Sequence, residues 1–167
     1  SRGCINKCAF CSEHRVFEFY RSKSAKIIFD EIQYQIKKYH IRSFSFKDSL
    51  FNGNLKNLEE FCDIAITSKE KFSWNGQILI RKMSKSLISK MKEAGLSGVS
   101  MGLESGSQKI VDIMNKNFSM STAYQLIKLL HGTGIQTSVN IIVGFPGETN
   151  EDFLKTINDK FVKAFDQ

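Results

Sequence analysis

The sequence predicts an α/β fold built on a parallel sheet. Helical and extended patterns take turns along the 167 residues, at intervals of very roughly 30 residues, which is the βαβ rhythm. Four extended stretches stand near 43–46, 73–80, 98–103 and 137–143, each followed by a helical pattern. The composition, 41% hydrophobic and 25% charged, suits one domain with a buried core. This rhythm leaves two arrangements open: a curled sheet with helices on one side, or an open sheet with helices on both.

The elements follow in order. Ile28, Ile32, Ile36 and Tyr39 fall on one helical face. Ser43-Phe44-Ser45-Phe46 alternates as a strand does. Leu55, Leu58, Phe61, Cys62, Ala65 and Ile66 mark the next helix, and Phe72 to Ile80 is rich in the aromatic and β-branched residues that favour strands. Leu87, Ile88 and Met91 form a helical face, with Ser84 or Ser86 as cap and Gly95 as stop. Val99 to Leu103 reads as a buried strand. Two helical patterns follow, one through Ile110, Val111 and Met114, the other through Ala123, Leu126, Ile127 and Leu130. Val139 to Val143 is the most apolar strand. The last helix carries Phe153, Leu154, Ile157 and Phe161 on one face, with Glu151 and Asp152 in the first turn, where the helix dipole favours acids.

Several classes are excluded. No apolar run approaches the about 20 residues of a membrane span, and no basic-then-apolar leader opens the chain. The expectation is a cytoplasmic protein with no membrane role. One proline and 11 glycines exclude collagen-like chains. The net charge of +7 gathers near the N-terminus, where Arg2, Lys7, Arg15, Arg21, Lys23 and Lys26 face only Glu13 and Glu18. Such a face is either simply solvated or set near something negative, such as a thiolate-bound metal or an anionic substrate. Ser1 begins almost on a cysteine-rich loop, and the chain stops one helix after its best strand. Residues 1–167 are therefore expected to be a fragment lacking a first and a last strand.

Three of the four cysteines, Cys4, Cys8 and Cys11, crowd into eight residues as C-x3-C-x2-C. Cysteines so close do not make a disulfide framework, and read first as a metal site. Soft sulfur ligands select iron–sulfur clusters, zinc or copper(I). Electron-transfer clusters take four cysteines; three leave one metal position open, as catalytic sites do. Cys62, on an apolar helix face, reads as core.

The spacing with Phe10 before the last cysteine, C-x3-C-x-F-C, resembles the signature of radical S-adenosylmethionine enzymes. Three further stretches resemble that family in the right order: Phe46 to Asn52; Gly102-Leu103-Glu104-Ser105-Gly106-Ser107 as G-x-E-S-G-S; and Val143 to Thr149, which contains G-F-P-G-E-T. Together they cover roughly residues 2–157. The resemblance implies a partial (β/α) barrel and an enzyme in which Cys4, Cys8 and Cys11 bind a 4Fe-4S cluster. The open iron would chelate S-adenosylmethionine, whose reductive cleavage gives a 5′-deoxyadenosyl radical. It implies Phe10 beside the adenine and an electron donor such as flavodoxin or ferredoxin. The glycine pair that many members carry after the second strand is absent. Its acidic replacement, with Asp48, is similar to a branch that includes methylthiotransferase-like members and often has an upstream cobalamin domain; Arg81, with Ala94-Gly95 downstream, fits the same branch. The cofactor-binding residues expected on this resemblance are Phe10, Asp48, Arg81, Glu104, Asn140 and Gly144.

Asp48, Glu104 and Gly144 all follow predicted parallel strands, at the edge where βα folds collect ligands. A carboxylate there accepts charge-assisted hydrogen bonds from an ammonium or bonds from ribose hydroxyls. Asn140, polar in an apolar run, is placed to reach a nucleoside. Simpler readings stand beside these. Asp48 also suits a helix cap, Asn140 a bond to a neighbouring strand end, and Arg81 a rim position with no special role. Cys4, Cys8, Cys11 and His14 also match a Cys3His zinc site. The basic N-terminal end permits a nucleic-acid partner, although no aromatic–basic RNA motif supports one. The sequence names no substrate.

Overall fold

The computed structural model describes residues 1–158. Their elements run α1 (Glu13–Val16), α2 (Ala25–Tyr39), β1 (Ser43–Phe46), α3 (Leu55–Thr67), β2 (Ser73–Ile78), α4 (Lys85–Glu93), β3 (Leu96–Glu104), α5 (Gln108–Ile113), α6 (Met120–Gly132), β4 (Gln136–Ile141) and α7 (Asn150–Asn158). Side-chain caps set where the longer helices start. The amide of Ile27 donates to Ser24 Oγ, that of Asn57 to Asn54 Oδ1, that of Leu87 to Ser84 Oγ and that of Thr122 to Ser119 Oγ. Of the two serines proposed to cap α4, Ser84 is the one used. No helix among the described residues is long and apolar enough to cross a membrane.

The four strands form one parallel sheet in the order β1-β2-β3-β4. Side chains alternate across it, and the two faces differ sharply. On one face Phe44, Phe46, Trp74, Ile78, Val99, Met101, Leu103 and Val139 pack with the helices into the core. Trp74 is its centre: it stacks on Phe46 at 5.0 Å and meets Phe51 and Phe61 edge-on at 5.0 and 5.5 Å. Its indole N–H donates to Ala94 O at 2.9 Å, so the buried polar atom is satisfied. The opposite face carries Ser45, Asn75, Gln77, Gly98, Ser100 and Ser138, which line a cleft of about 710 Å³. A larger cleft, about 990 Å³, runs along α2 and β1 and contains none of the cysteines.

Three expectations are corrected. The strand expected to reach residue 80 leaves the ladder after Ile78, because the Asn52 side chain takes the strand's place. Leu79 N donates to Asn52 Oδ1 at 2.8 Å and Asn52 Nδ2 donates to Leu79 O at 2.9 Å. The strand expected to reach residue 143 stops at Ile141, and Val143 is exposed. The apolar face expected on the last helix does not face the core. Leu154 and Ile157 are exposed, while Asp152 and Thr156 are buried. Polar bonds dock α7 instead: Ser107 Oγ donates to Asp152 Oδ1 at 2.7 Å, Lys109 Nζ to Asp152 Oδ2 at 2.8 Å, and Gly106 N to Thr156 Oγ1 at 2.9 Å. These donors hold the Asp152 carboxyl far below the usual carboxylate range, with the Lys109 ammonium the largest cause. Phe161 lies outside the described residues. The short helix α1 carried no sequence signal, being only four residues long.

Gly95 ends α4 with φ +93°, and a Cβ there would stand 2.1 Å from Phe72 O. Gly95→Ala is therefore expected to cost more than about 1 kcal/mol, read as a lower denaturant midpoint at unchanged slope. An unchanged midpoint would show that the turn relaxes freely. Cys62 is fully buried in the core, and desolvation pushes its thiol from 9.0 up to about 12. Below pH 9 the thiol is neutral in both folded and unfolded chains. Between about 9 and 12 the unfolded chain releases a proton that the folded chain keeps, so stability falls by at most about 1.4 kcal/mol per pH unit from this group. Cys62→Ala is expected to flatten that alkaline decline, measured by urea unfolding across the range.

Candidate active site at the carboxyl edge of the sheet

The cysteine loop has little regular structure of its own. Arg2 and Arg21 pair in a single antiparallel bridge at its base, and Cys11 N donates to Cys8 O at 3.1 Å. What fixes it comes from the α5–α6 connection, more than 100 residues away. Ala9 N donates to Met114 O at 2.9 Å, Asn115 Nδ2 to Lys7 O at 2.9 Å, and Asn6 Nδ2 to Lys116 O at 3.1 Å. Asn115 and Asn117 both have φ 56°, a left-handed turn that asparagine tolerates better than most residues. Their placement lets the chain between α5 and α6 present its carbonyls to the loop.

Lys116 carries the clamp into the sheet edge. Its ammonium lies 3.0 Å from Glu104 Oε1, 5.5 Å from the centre of the Phe10 ring and 6.0 Å from that of Phe118. Lys116 is 6% exposed and Glu104 7%, so the two charges need one another. Glu104 ends β3 at an irregularity in the β3–β4 ladder, with φ 67°. Gly102 makes the room. A Cβ on it would stand 2.1 Å from Glu104 Oε1 and 2.8 Å from Lys116 Nζ. This is a physical reason for the first glycine of G-x-E in this chain.

The other motifs reach the same edge. Phe145, in the turn after β4, meets the Phe10 ring edge-on at 6.2 Å. Gly144 donates its amide to Glu148 Oε2 at 2.6 Å, which closes that turn. Asn140 sits on the polar face opposite Gly102 and is exposed. Asp48 follows β1, with its carboxylate against the main-chain nitrogen of Ser1. Glu13 accepts from Ser49 Oγ, tying the loop after β1 to α1. Arg81 has a different surrounding: its Nη1 donates to the carbonyls of Asn52 and Gly53, each at 3.1 Å. It braces the loop after β1. Ser105, Gly106 and Ser107 lie under α7, so in this chain the second half of G-x-E-S-G-S docks a helix.

The donor set suits a polynuclear centre. All four cysteines are free thiols. Cys8 is buried and feels the charges of Cys4 and Cys11; burial is the main reason its thiol is raised, and Lys116 works against that rise. Cys4 is raised by burial too. Asn6 N and Glu13 N point at the sulfurs of Cys4 and Cys11, at 3.4 and 3.5 Å. Among the described residues no three His, Cys, Asp or Glu side chains stand close enough to hold one metal ion, the arrangement a Cys3His zinc site requires. The irons of a cubane stand at separate corners, so its thiolates need not converge on a point. Three sulfurs within each other's field and amides aimed at two of them fit such a centre.

Lys116, Asn115 and Asn6 were not singled out from sequence. The one available signal was a lysine between two asparagines, directly after an apolar helix.

Comparison with known proteins shows the family and the fold. The Radical SAM superfamily model matches residues 1–159. The chain is 31% identical, over 99% of its length, to the anaerobic magnesium-protoporphyrin IX monomethyl ester cyclase of Cereibacter sphaeroides, and spans 27% of that protein. It is 29% identical, over 93% of its length, to a tRNA-2-methylthio-N(6)-dimethylallyladenosine synthase of Clostridium perfringens, and spans 37% of it. The fold matches that of the radical S-adenosylmethionine methyltransferase TsrM from Kitasatospora setae, solved with cobalamin and a [4Fe-4S] cluster bound. The TM-score is 0.86 at 17% identity, over 98% of this chain and 31% of that one. The sheet is thus part of a partial (β/α) barrel, and the chain belongs to the radical SAM superfamily.

Proposed function

We propose that this chain is the core of an enzyme that cleaves S-adenosylmethionine reductively, with Cys4, Cys8 and Cys11 holding a 4Fe-4S cluster. The observation that carries this reading is the clamp from Met114, Asn115 and Lys116. It holds the loop bearing three free thiols at the carboxyl edge of a parallel sheet, where Phe10 of that loop meets Phe145 and Lys116 bonds Glu104. The chemistry such a cluster supplies is one electron to the sulfonium, which breaks the C5′–S bond and leaves methionine and a 5′-deoxyadenosyl radical.

The chain's own residues bind and orient the nucleoside. Phe10, held between Lys116 and Phe145, offers a flat apolar face for adenine. Glu104 and Asn140 offer acceptors for ribose hydroxyls, Asp48 a carboxylate for the methionyl ammonium, and Gly144 an open backbone approach. Arg81 keeps the loop bearing Asp48 in place through its two carbonyl bonds. A low-potential carrier such as flavodoxin or ferredoxin supplies the electron. The exposed Lys7, Arg15 and Arg21 around the loop suit an acidic partner by charge. Cobalamin, present in TsrM, would be carried outside residues 1–167. Free thiols and a reducible cluster suit the cytoplasm.

Reconstitution with iron and sulfide without oxygen is expected to give a brown protein with about four irons per chain. With dithionite and S-adenosylmethionine it should release methionine and 5′-deoxyadenosine. Cys8→Ala is expected to lose most of the iron and the cleavage. A fully loaded chain that leaves S-adenosylmethionine intact would sink the reading. Asn115→Ala, which removes one of the three clamp bonds, is expected to lower iron loading severalfold less than Cys8→Ala does, read by iron analysis after gel filtration.

A further inference from the structure

One buried charge at the site supports Phe10 but meets no ligand in the binding roles above. Lys116 sits where a cation is costly, and Glu104 is its only carboxylate partner among the described residues. We propose that Lys116 sets the reduction potential of the cluster: fixed between Glu104 and the Phe10 ring of the cysteine loop, its ammonium stabilises the cluster once an electron has been added. The inference rests on the assignment of the cluster to Cys4, Cys8 and Cys11.

The geometry gives two reasons. First, the lysine is held at both ends. Its carbonyl accepts from Asn6 inside the cysteine loop, and its ammonium bonds Glu104. The cation therefore keeps a fixed distance from the loop instead of moving with solvent. Second, the rings of Phe10 and Phe118 flank the ammonium and keep water away. A charge acts further through such surroundings than through water.

The step balances simply. A low-potential one-electron donor is oxidised, the cluster is reduced and gains one negative charge, and no bond or proton moves. A nearby fixed cation favours the more negative state. Lys116 is thus a positioning residue for charge, and its removal makes the cluster harder to reduce.

The test is a potential measured without S-adenosylmethionine. The whole chain is reconstituted, and reduction is followed by electron paramagnetic resonance at set potentials. Lys116→Met, which keeps the length and loses the charge, is expected to shift the reduced-to-oxidised ratio at fixed potential about tenfold, a fall of about 59 mV for one electron. Lys116→Arg keeps the charge and is expected to stay near wild type. Glu104→Gln leaves the cation unopposed and is expected to move the midpoint upward. A loaded Lys116→Met cluster with the wild-type midpoint overturns the proposal. If Lys116→Met takes up no iron, Glu104→Gln decides: an upward shift supports the proposal, and an unchanged or lower midpoint overturns it. A wild-type chain that takes up no iron overturns the cluster assignment, and this inference falls with it.

Discussion

The site depends on the contact between the α5–α6 connection and the cysteine loop. A ten-residue loop with three thiols has no reason to hold one shape. Its backbone donors and acceptors need partners, and buried ones need them most. Met114, Asn115 and Lys116 meet that need with two carbonyls and one side-chain amide. Two left-handed asparagines, Asn115 and Asn117, make the carbonyls available. The clamp thus converts a flexible segment into one side of a pocket, and Lys116 passes that order on to Glu104 and the end of β3.

The sheet separates stability from chemistry. One face is dry, aromatic and close-packed around Trp74. The other presents Ser45, Asn75, Gln77, Ser100 and Ser138 to an open cleft. Barrel interiors filled by large branched side chains leave no such space. Here the small polar residues leave it, so the rim carrying the motifs opens onto a hydrated floor. The core can therefore be rigid while the ligand side stays accessible.

Much of this was legible in the sequence because the signals were local. Helix caps, strand alternation and the C-x3-C-x2-C spacing each involve residues a few positions apart, and Phe10, Glu104 and Gly144 do reach one edge. The failures came where distant contacts decide. Leu154 and Ile157 look like a core face, yet Asp152 and Thr156 are buried because Ser107, Lys109 and Gly106 offer them donors. Asn52, at the end of the motif stretch after β1, acts as a rung of β2. Lys116 carries no local signal, since it meets its partner Glu104 only once β3 and the clamp are both formed. Arg81, expected among the cofactor-binding residues with a plain rim position as the simpler reading, bonds the carbonyls of the loop after β1.

Gly102 has a consequence for how such a chain can change over time. Its missing side chain is the space in which Glu104 and Lys116 meet, so the three positions cannot vary independently. A side chain at 102 would press on the ends of both, so the carboxylate and the ammonium would have to move aside together to admit it. A replacement at any one of the three positions is therefore felt at the other two.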